Sequence, residues 1–121
     1  VYVKHKVADS EQTGLQATLD RLPADTTEDA LLARIRALNA DASVHGILVQ
    51  MPLPKQISEQ KVIRRISPAK DVDGFHPFNV GKLFTGDADG FAPCTPAGVQ
   101  VMLEEAGIET AGMEALPWAS R

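Results

Sequence analysis

The chain has 121 residues, of which 44% are hydrophobic and 23% charged, with a formal net charge of −4, an ordinary composition for one globular domain. An acidic balance excludes the basic footprint that nucleic-acid binding requires, and no apolar run approaches the roughly 18 residues of a membrane helix, so neither partner is expected. The single cysteine, Cys94, cannot form an internal disulfide; with no charged-then-apolar leader, the simplest compartment is the reducing, cytoplasmic one.

Val1 to about Thr13 reads as a helix already under way at its first residue, and Gly14 stands where a helix C-terminal glycine ends it. The absence of a cap or an initiator methionine ahead of Val1 predicts a piece of a longer chain. Gln16 to Leu22 alternates apolar and polar residues before Pro23 and predicts a short strand. Thr26-Thr27-Glu28-Asp29 supplies a cap and first-turn acids for a helix with Ala30, Leu31, Ile35 and Leu38 on one face, ending near Asn39. His45 to Gln50 contains the run Ile47-Leu48-Val49, expected of a strand covered on both faces in a parallel sheet and stopped by Met51-Pro52-Leu53-Pro54. Ser58 to Lys61 starts a short amphipathic helix carrying Val62, Ile63 and Ile66, closed by Pro68. Lys70 to Asn79 is polar and turn-rich and reads as a loop. Thr95-Pro96 opens a last helix by a cap-then-proline signal, to about Ala106 before Gly107. Met113 to Arg121 shows neither strand alternation nor a finished helix. Strands separated by helices imply an α/β domain with a parallel sheet, in which ligands gather beyond the strand ends, here at Gln50 and the Met51-Pro52 turn.

Several residues have side chains suited to chemistry. Tyr2 and Lys6 are four apart and share one helical face: a phenol able to stack a flat heterocycle beside an amine able to move a proton, or a solvated lysine beside a half-buried tyrosine. Gln50 can both donate and accept at the end of an apolar strand, to a ligand or to the neighbouring loop. Asp71 and Asp73 flank Val72 before Gly74, facing a cavity or bonding a local turn. His5, His45 and His76 have no metal-ligand spacing, so no metal is expected. No G-x-G-x-x-G occurs, and Gly74 to Lys82 lacks phosphate-loop spacing. Cys94 has no nearby histidine to activate it and reads as a buried, inert thiol.

In order, Tyr2-Val-Lys-His-Lys6, His45-Gly-Ile-Leu-Val-Gln50-Met-Pro-Leu-Pro54, Pro68-Ala-Lys-Asp-Val-Asp73-Gly-Phe-His-Pro77, Asn79-Val-Gly-Lys-Leu83 and Pro93-Cys-Thr-Pro96 closely resemble the bifunctional methylenetetrahydrofolate dehydrogenase/methenyltetrahydrofolate cyclohydrolase family. The resemblance runs from Val1 to about Gly112. It implies a three-layer αβα lobe with a parallel sheet, like the N-terminal lobe of amino-acid dehydrogenases, truncated at both ends. Residues 1–112 would be the folate-binding catalytic domain, incomplete, and residues 113–121 an atypical tail where an NADP-binding Rossmann lobe would begin.

By position, Tyr2 resembles the tyrosine that stacks along the folate, Lys6 the catalytic lysine, Gln50 the glutamine that bonds and tunes it, and Asp73 the acid that grips the pterin edge. Pro52 falls on the substrate side, and Cys94 and Thr95 on the cofactor side. The implied activities belong to one-carbon metabolism that feeds purine biosynthesis: hydrolysis of 5,10-methenyltetrahydrofolate to 10-formyltetrahydrofolate and, in a full-length homodimeric parent, NADP-dependent oxidation of 5,10-methylenetetrahydrofolate. After Gly112 the family continues into a strand and a phosphate-binding Gly-Arg-Ser segment that Met113 to Arg121 does not match, so dehydrogenase activity is not expected of this stretch. The family's first helix, a central strand and the serine preceding the tyrosine also have no counterpart here, which is expected to leave apolar faces uncovered and a sheet edge exposed. A non-catalytic remnant with weak folate binding is the alternative reading.

Overall fold

The computed structural model describes the backbone of residues 2–114 and the side chains from Lys6 to Glu114. The tail reading over Met113 to Arg121, from residue 115 onward, and the side chain of Tyr2 therefore lie outside the described residues. Helix α1 spans Tyr2–Gln12, followed by Gly14 at a φ of 77°. Helix α2, Glu28–Ala40, starts where expected: the Thr27 hydroxyl accepts from the Ala30 N–H, and Glu28 and Asp29 occupy the first turn. Helix α3, Glu59–Arg65, is capped by Ser58, which accepts from the Lys61 N–H, and carries Arg64 and Arg65 in its last turn, each charge complementing the helix dipole.

Two polar side chains fix α2 against α3. At their starts Glu28 accepts from the Ser58 N–H and from the Lys61 amine. At their ends the Asn39 side chain donates to Arg65 O at 2.8 Å and accepts from Ser67 N–H at 2.9 Å. Start matched to start and end to end, the helices run in the same direction. That direction is what a strand returning between them produces. Their facing stripes, with the intervening segment, bury Leu31, Ile35, Ile47, Ile57, Val62 and Ile66 in a single core.

The sheet is where expectation and structure differ. Among the described residues the pairing consists of one parallel bridge, Ile47 with Asp71, held by the Ile47 N–H donating to Lys70 O at 2.7 Å. The expected strand over His45 to Gln50 is covered on one face only, with Ile47 6% and Leu48 42% exposed. Gln16 to Leu22 forms no strand at all, and Leu19 and Leu22 are exposed. Apolar alternation gives a segment the capacity to pair, but a ladder also needs a neighbouring backbone; among the described residues Gln16 to Leu22 pairs with none, and His45 to Gln50 meets one only at the Ile47–Asp71 bridge. What remains of the α/β arrangement is its helix order and one parallel contact.

A 3-10 turn, Pro68–Lys70, leads through Asp71 to a helix of which only the first three residues fell within the expected loop Lys70 to Asn79 and the rest had no assignment: α4, Pro77–Thr85, with Pro77 in its first turn and the His76 ring accepting from the Phe78 N–H. The His-Pro pair is a cap-then-proline signal, overlooked because histidine is not among the usual caps. Helix α5, Cys94–Glu105, begins two residues earlier than the cap-then-proline signal of Thr95-Pro96 predicts; Pro93 holds the cap position without a side-chain bond, and Thr95 lies inside the first turn. Among the described residues no helix is long and apolar enough to cross a membrane.

Candidate functional site

The Ile47–Asp71 bridge builds the site. Because the pairing is parallel, both chains leave it in the same direction, carrying Gln50 three residues beyond Ile47 and Asp73 two residues beyond Asp71. Helix α1 brings a third group: the half-buried Lys6 donates from Nζ to Gln50 Oε1 at 3.5 Å. Gln50 uses its own NH2 to donate to Met51 O at 3.1 Å. That bond turns the amide so that its oxygen faces the amine. Lys6 is also close enough to Asp73 for its charge to bear on the Asp73 carboxyl. Three of the four residues expected at one ligand thus share one region, reached from three separate segments; the fourth, Tyr2, stands one helical turn from Lys6 in α1.

The two aspartates of the Lys70-Asp-Val-Asp-Gly74 stretch divide sharply. Asp71 is 3% exposed and fully engaged: its carboxylate accepts from Phe75 N–H at 3.4 Å, His76 N–H at 2.8 Å and the Asn79 NH2 at 2.9 Å. Asp73 is half-buried and has no such partner among the described residues. Burial pushes its carboxyl above the ordinary carboxylate range, the Lys6 charge opposes that shift, and the neighbouring Asp71 adds to it. A carboxyl held up by burial and left without donors is poised to take them from a ligand.

Gly74 fixes how closely the rest of the chain approaches this turn. Its φ is 68°, and a Cβ there would sit 2.6 Å from Phe91 O and 2.9 Å from Pro93 N, so residues 91–93 lie directly against it. Cys94 follows at the start of α5, with its thiol 3.6 Å from Val72 O. The cysteine is exposed, not buried as expected, because a helix N-terminus at a turn leaves its first side chain open on one side. Pro52, which follows a cis peptide bond, and Thr95 are exposed, and neither is drawn into the Lys6–Gln50–Asp73 cluster by a contact within the described residues.

Two anchoring residues were not foreseen. The Lys70 amine donates to the carbonyls of Leu38, Asn39 and Asp41 at 2.9, 2.8 and 2.7 Å, closing the C-terminal end of α2. Asn79, 3% exposed, donates to Pro68 O as well as to Asp71. The signal for Lys70 lay in the α2 sequence, which has no basic residue in its last turn and so leaves its carbonyls to a distant cation.

Residues 1–73 match the family described as tetrahydrofolate dehydrogenase/cyclohydrolase, catalytic domain, a stretch that contains Lys6, Gln50 and Asp73. The chain is 61% identical over 116 residues to the bifunctional protein FolD of Variovorax paradoxus, covering 96% of this chain and 41% of that protein. It is 60% identical over 112 residues to that of Halalkalibacterium halodurans, covering 93% and 40%. Among solved structures, the bifunctional enzyme FolD of Campylobacter jejuni superposes with a TM-score of 0.86 at 48% identity, over 88% of this chain and 38% of that one. The Trypanosoma brucei methylenetetrahydrofolate dehydrogenase-cyclohydrolase, crystallised with NADP cofactor and an inhibitor, gives 0.85 at 34% identity, over 92% and 38%. The α/β fold of these structures is thus the fold of this chain, which spans about 40% of the length of its relatives. Matched over residues 1–73 and similar to these relatives over most of its length, the chain belongs to the tetrahydrofolate dehydrogenase/cyclohydrolase family.

Proposed function

We propose that residues 1–112 form the folate-binding catalytic portion of a bifunctional one-carbon enzyme, and that the reaction centred on this chain is hydrolysis of 5,10-methenyltetrahydrofolate to 10-formyltetrahydrofolate. The observation that carries this reading is the Lys6 amine bonded to the Gln50 amide within electrostatic reach of Asp73. Water adds to the cationic methenyl carbon and gives up a proton, leaving a hydroxyl on that carbon; the hydroxyl then loses its own proton as the bond from the carbon to N5 opens and N5 takes one up, leaving the formyl group on N10 with one proton released overall. Lys6 is the group placed to carry a proton in these steps, with Gln50 holding its amine in position. Asp73 receives the amino-pyrimidine edge of the pterin, a planar donor array that suits a carboxyl group, and Tyr2 and Pro52 contribute surface beside the aryl extension.

Oxidation of 5,10-methylenetetrahydrofolate with NADP belongs to the longer parent. The family resemblance supports a cofactor-side role for Cys94 and Thr95 in that parent; the described residues offer no glycine-rich cradle for a dinucleotide, and no step of the hydrolysis depends on one. The family resemblance further supports a cytoplasmic, homodimeric parent whose one-carbon units serve purine biosynthesis. The test is direct. The chain should bind a reduced-folate analogue by titration calorimetry, and Lys6→Ala should abolish methenyl hydrolysis, followed by loss of the methenyl absorbance, while most of the binding remains. A folded chain with neither binding nor turnover would support a non-catalytic remnant instead.

A further inference from the structure

The anchoring of α4 is unusual in one respect. Phe78, Val80, Leu83 and Phe84 of this helix are 56%, 48%, 53% and 92% exposed, and its one buried residue is Asn79. A helix normally docks through an apolar stripe. Here the apolar residues face outward and the inward contact is an amide. That amide bridges two stations on the chain, Pro68 O at the first residue of the 3-10 turn and the Asp71 carboxylate just after its last, both at 2.9 Å. Between these stations lies Lys70, whose carbonyl receives the Ile47 N–H of the parallel bridge. The Asp71 carboxylate in turn gathers the N–H groups of Phe75 and His76. Residues 72–74, which contain Asp73, are therefore pinched between two groups of bonds that end on the same carboxylate.

We propose that Asn79 is a positioning residue: through Asp71 it holds the Val72–Gly74 turn so that the Asp73 carboxyl presents itself to the pterin edge of the substrate. Burying a carboxylate as deeply as Asp71 is costly unless its oxygens are filled, and a polar pair satisfied on every side specifies one geometry where an apolar contact would tolerate several. An apolar anchor would hold α4 in place just as well. The amide additionally sets where Asp71, and with it Asp73, can sit.

The inference rests on the folate reading of Asp73, and its test separates the two. Affinity for a reduced-folate analogue is measured for the chain, Asn79→Leu, Asp73→Asn and the double variant, with far-UV circular dichroism recorded on each. Asn79→Leu is expected to weaken binding about tenfold in the parent background, the worth of one well-placed hydrogen bond, and less than about twofold when Asp73 is already asparagine. Equal losses in both backgrounds with native spectra would show that Asn79 acts on general structure and overturn the proposal. In parallel, the Asp73 side-chain carboxyl is titrated by carbon NMR in the parent and in the milder Asn79→Ser. Its midpoint should fall toward the ordinary carboxylate value as the turn loosens, and an unchanged midpoint overturns the clamp even if Asn79→Leu fails to fold. Absence of folate binding by the parent chain sinks the folate reading instead, and the NMR result still decides whether Asn79 holds the turn.

Discussion

Replacing Asp71 by alanine and Asp73 by asparagine should give opposite results although the residues are separated only by Val72. Asp71 accepts full hydrogen bonds from His76 N–H and the Asn79 amide at 2.8 and 2.9 Å and a weaker one from Phe75 N–H at 3.4 Å. A buried donor left unpaired costs about 1–3 kcal/mol. The His76 N–H loses its acceptor altogether, the Asn79 amide keeps Pro68 O and loses less, and removing a buried carboxylate returns part of its desolvation cost. The balance for Asp71→Ala is a destabilisation of about 3 kcal/mol. With a urea dependence of roughly 1–3 kcal/mol per molar, the unfolding midpoint followed by far-UV circular dichroism should fall by more than about 1 M. Asp73 has no donor among the described residues to lose, and the asparagine is nearly isosteric, so Asp73→Asn should stay within about 0.5 kcal/mol of the parent while losing folate affinity. If the two variants unfold at the same midpoint, the division into one structural and one ligand-facing carboxylate is wrong.

Three further outcomes follow from the same contacts. Lys70→Met strips the cation from the end of α2, leaving the carbonyls of Leu38, Asn39 and Asp41 to solvent, and should cost about 2 kcal/mol, read as a lowered thermal midpoint. Gly74→Ala must relieve a contact of 2.6 Å to Phe91 O at a φ of 68°; a loss of roughly 2–3 kcal/mol is expected, with amide exchange accelerated in residues 91–97, and unchanged exchange there would mean that the close approach is dispensable. Glu28 and Asp73 should leave opposite marks on stability against pH. The bond from Lys61, together with that from the Ser58 N–H, lowers the Glu28 carboxyl, so its contribution is present above the ordinary glutamate value and lost as pH falls through the depressed one. Asp73 is raised by burial, so the folded chain keeps a proton the unfolded chain has released, and stability declines as pH rises between the ordinary and the raised values. Glu28→Gln should flatten the acid limb and Asp73→Asn the second slope, both measured by urea unfolding across a pH series.

How much of this was legible beforehand depended on whether the deciding contact was local. Thr27 and Ser58 were readable as helix starts, because a cap satisfies N–H groups two or three residues away. Ile47-Leu48-Val49 was legible as apolar but not as half-covered, since coverage depends on what lies beside it, and Leu48 is open where a strand inside a sheet would be closed. The end of α2 showed in its own residues only a lack, no basic side chain in the last turn; which cation closes it could not be read there, because Lys70 arrives from some thirty positions on. At the site the pattern is the same. Resemblance put Lys6, Gln50 and Asp73 together, and the parallel bridge shows how Gln50 and Asp73 come to leave in one direction while α1 brings Lys6 to Gln50; that Asp71 and Asp73 differ in partners is invisible in a string where they look alike.

That difference also bears on why the site survives in so open a chain. An accessible surface of 9748 Å² is well above the roughly 6,300 Å² expected of a compact monomer of this mass, and the apolar core holds only Leu31, Ile35, Ile47, Ile57, Val62 and Ile66. Hydrophobic burial on that scale can hold α2, α3 and Ile47 together, but it does not extend to residues 70–79. Those are positioned instead by Lys70, Asp71 and Asn79, each bonded to two or more partners. Polar contacts of this kind fix direction more strictly than burial does, and direction is what a carboxyl needs if it is to meet a planar edge. The site should therefore loosen before the core melts: in a urea series, amide exchange at Asp73 and Gly74 should rise at concentrations where Ile35 and Val62 remain protected. Simultaneous loss of protection at all four would mean that the turn and the core are one cooperative unit, and the polar clamp would then have no separate role in shaping the site.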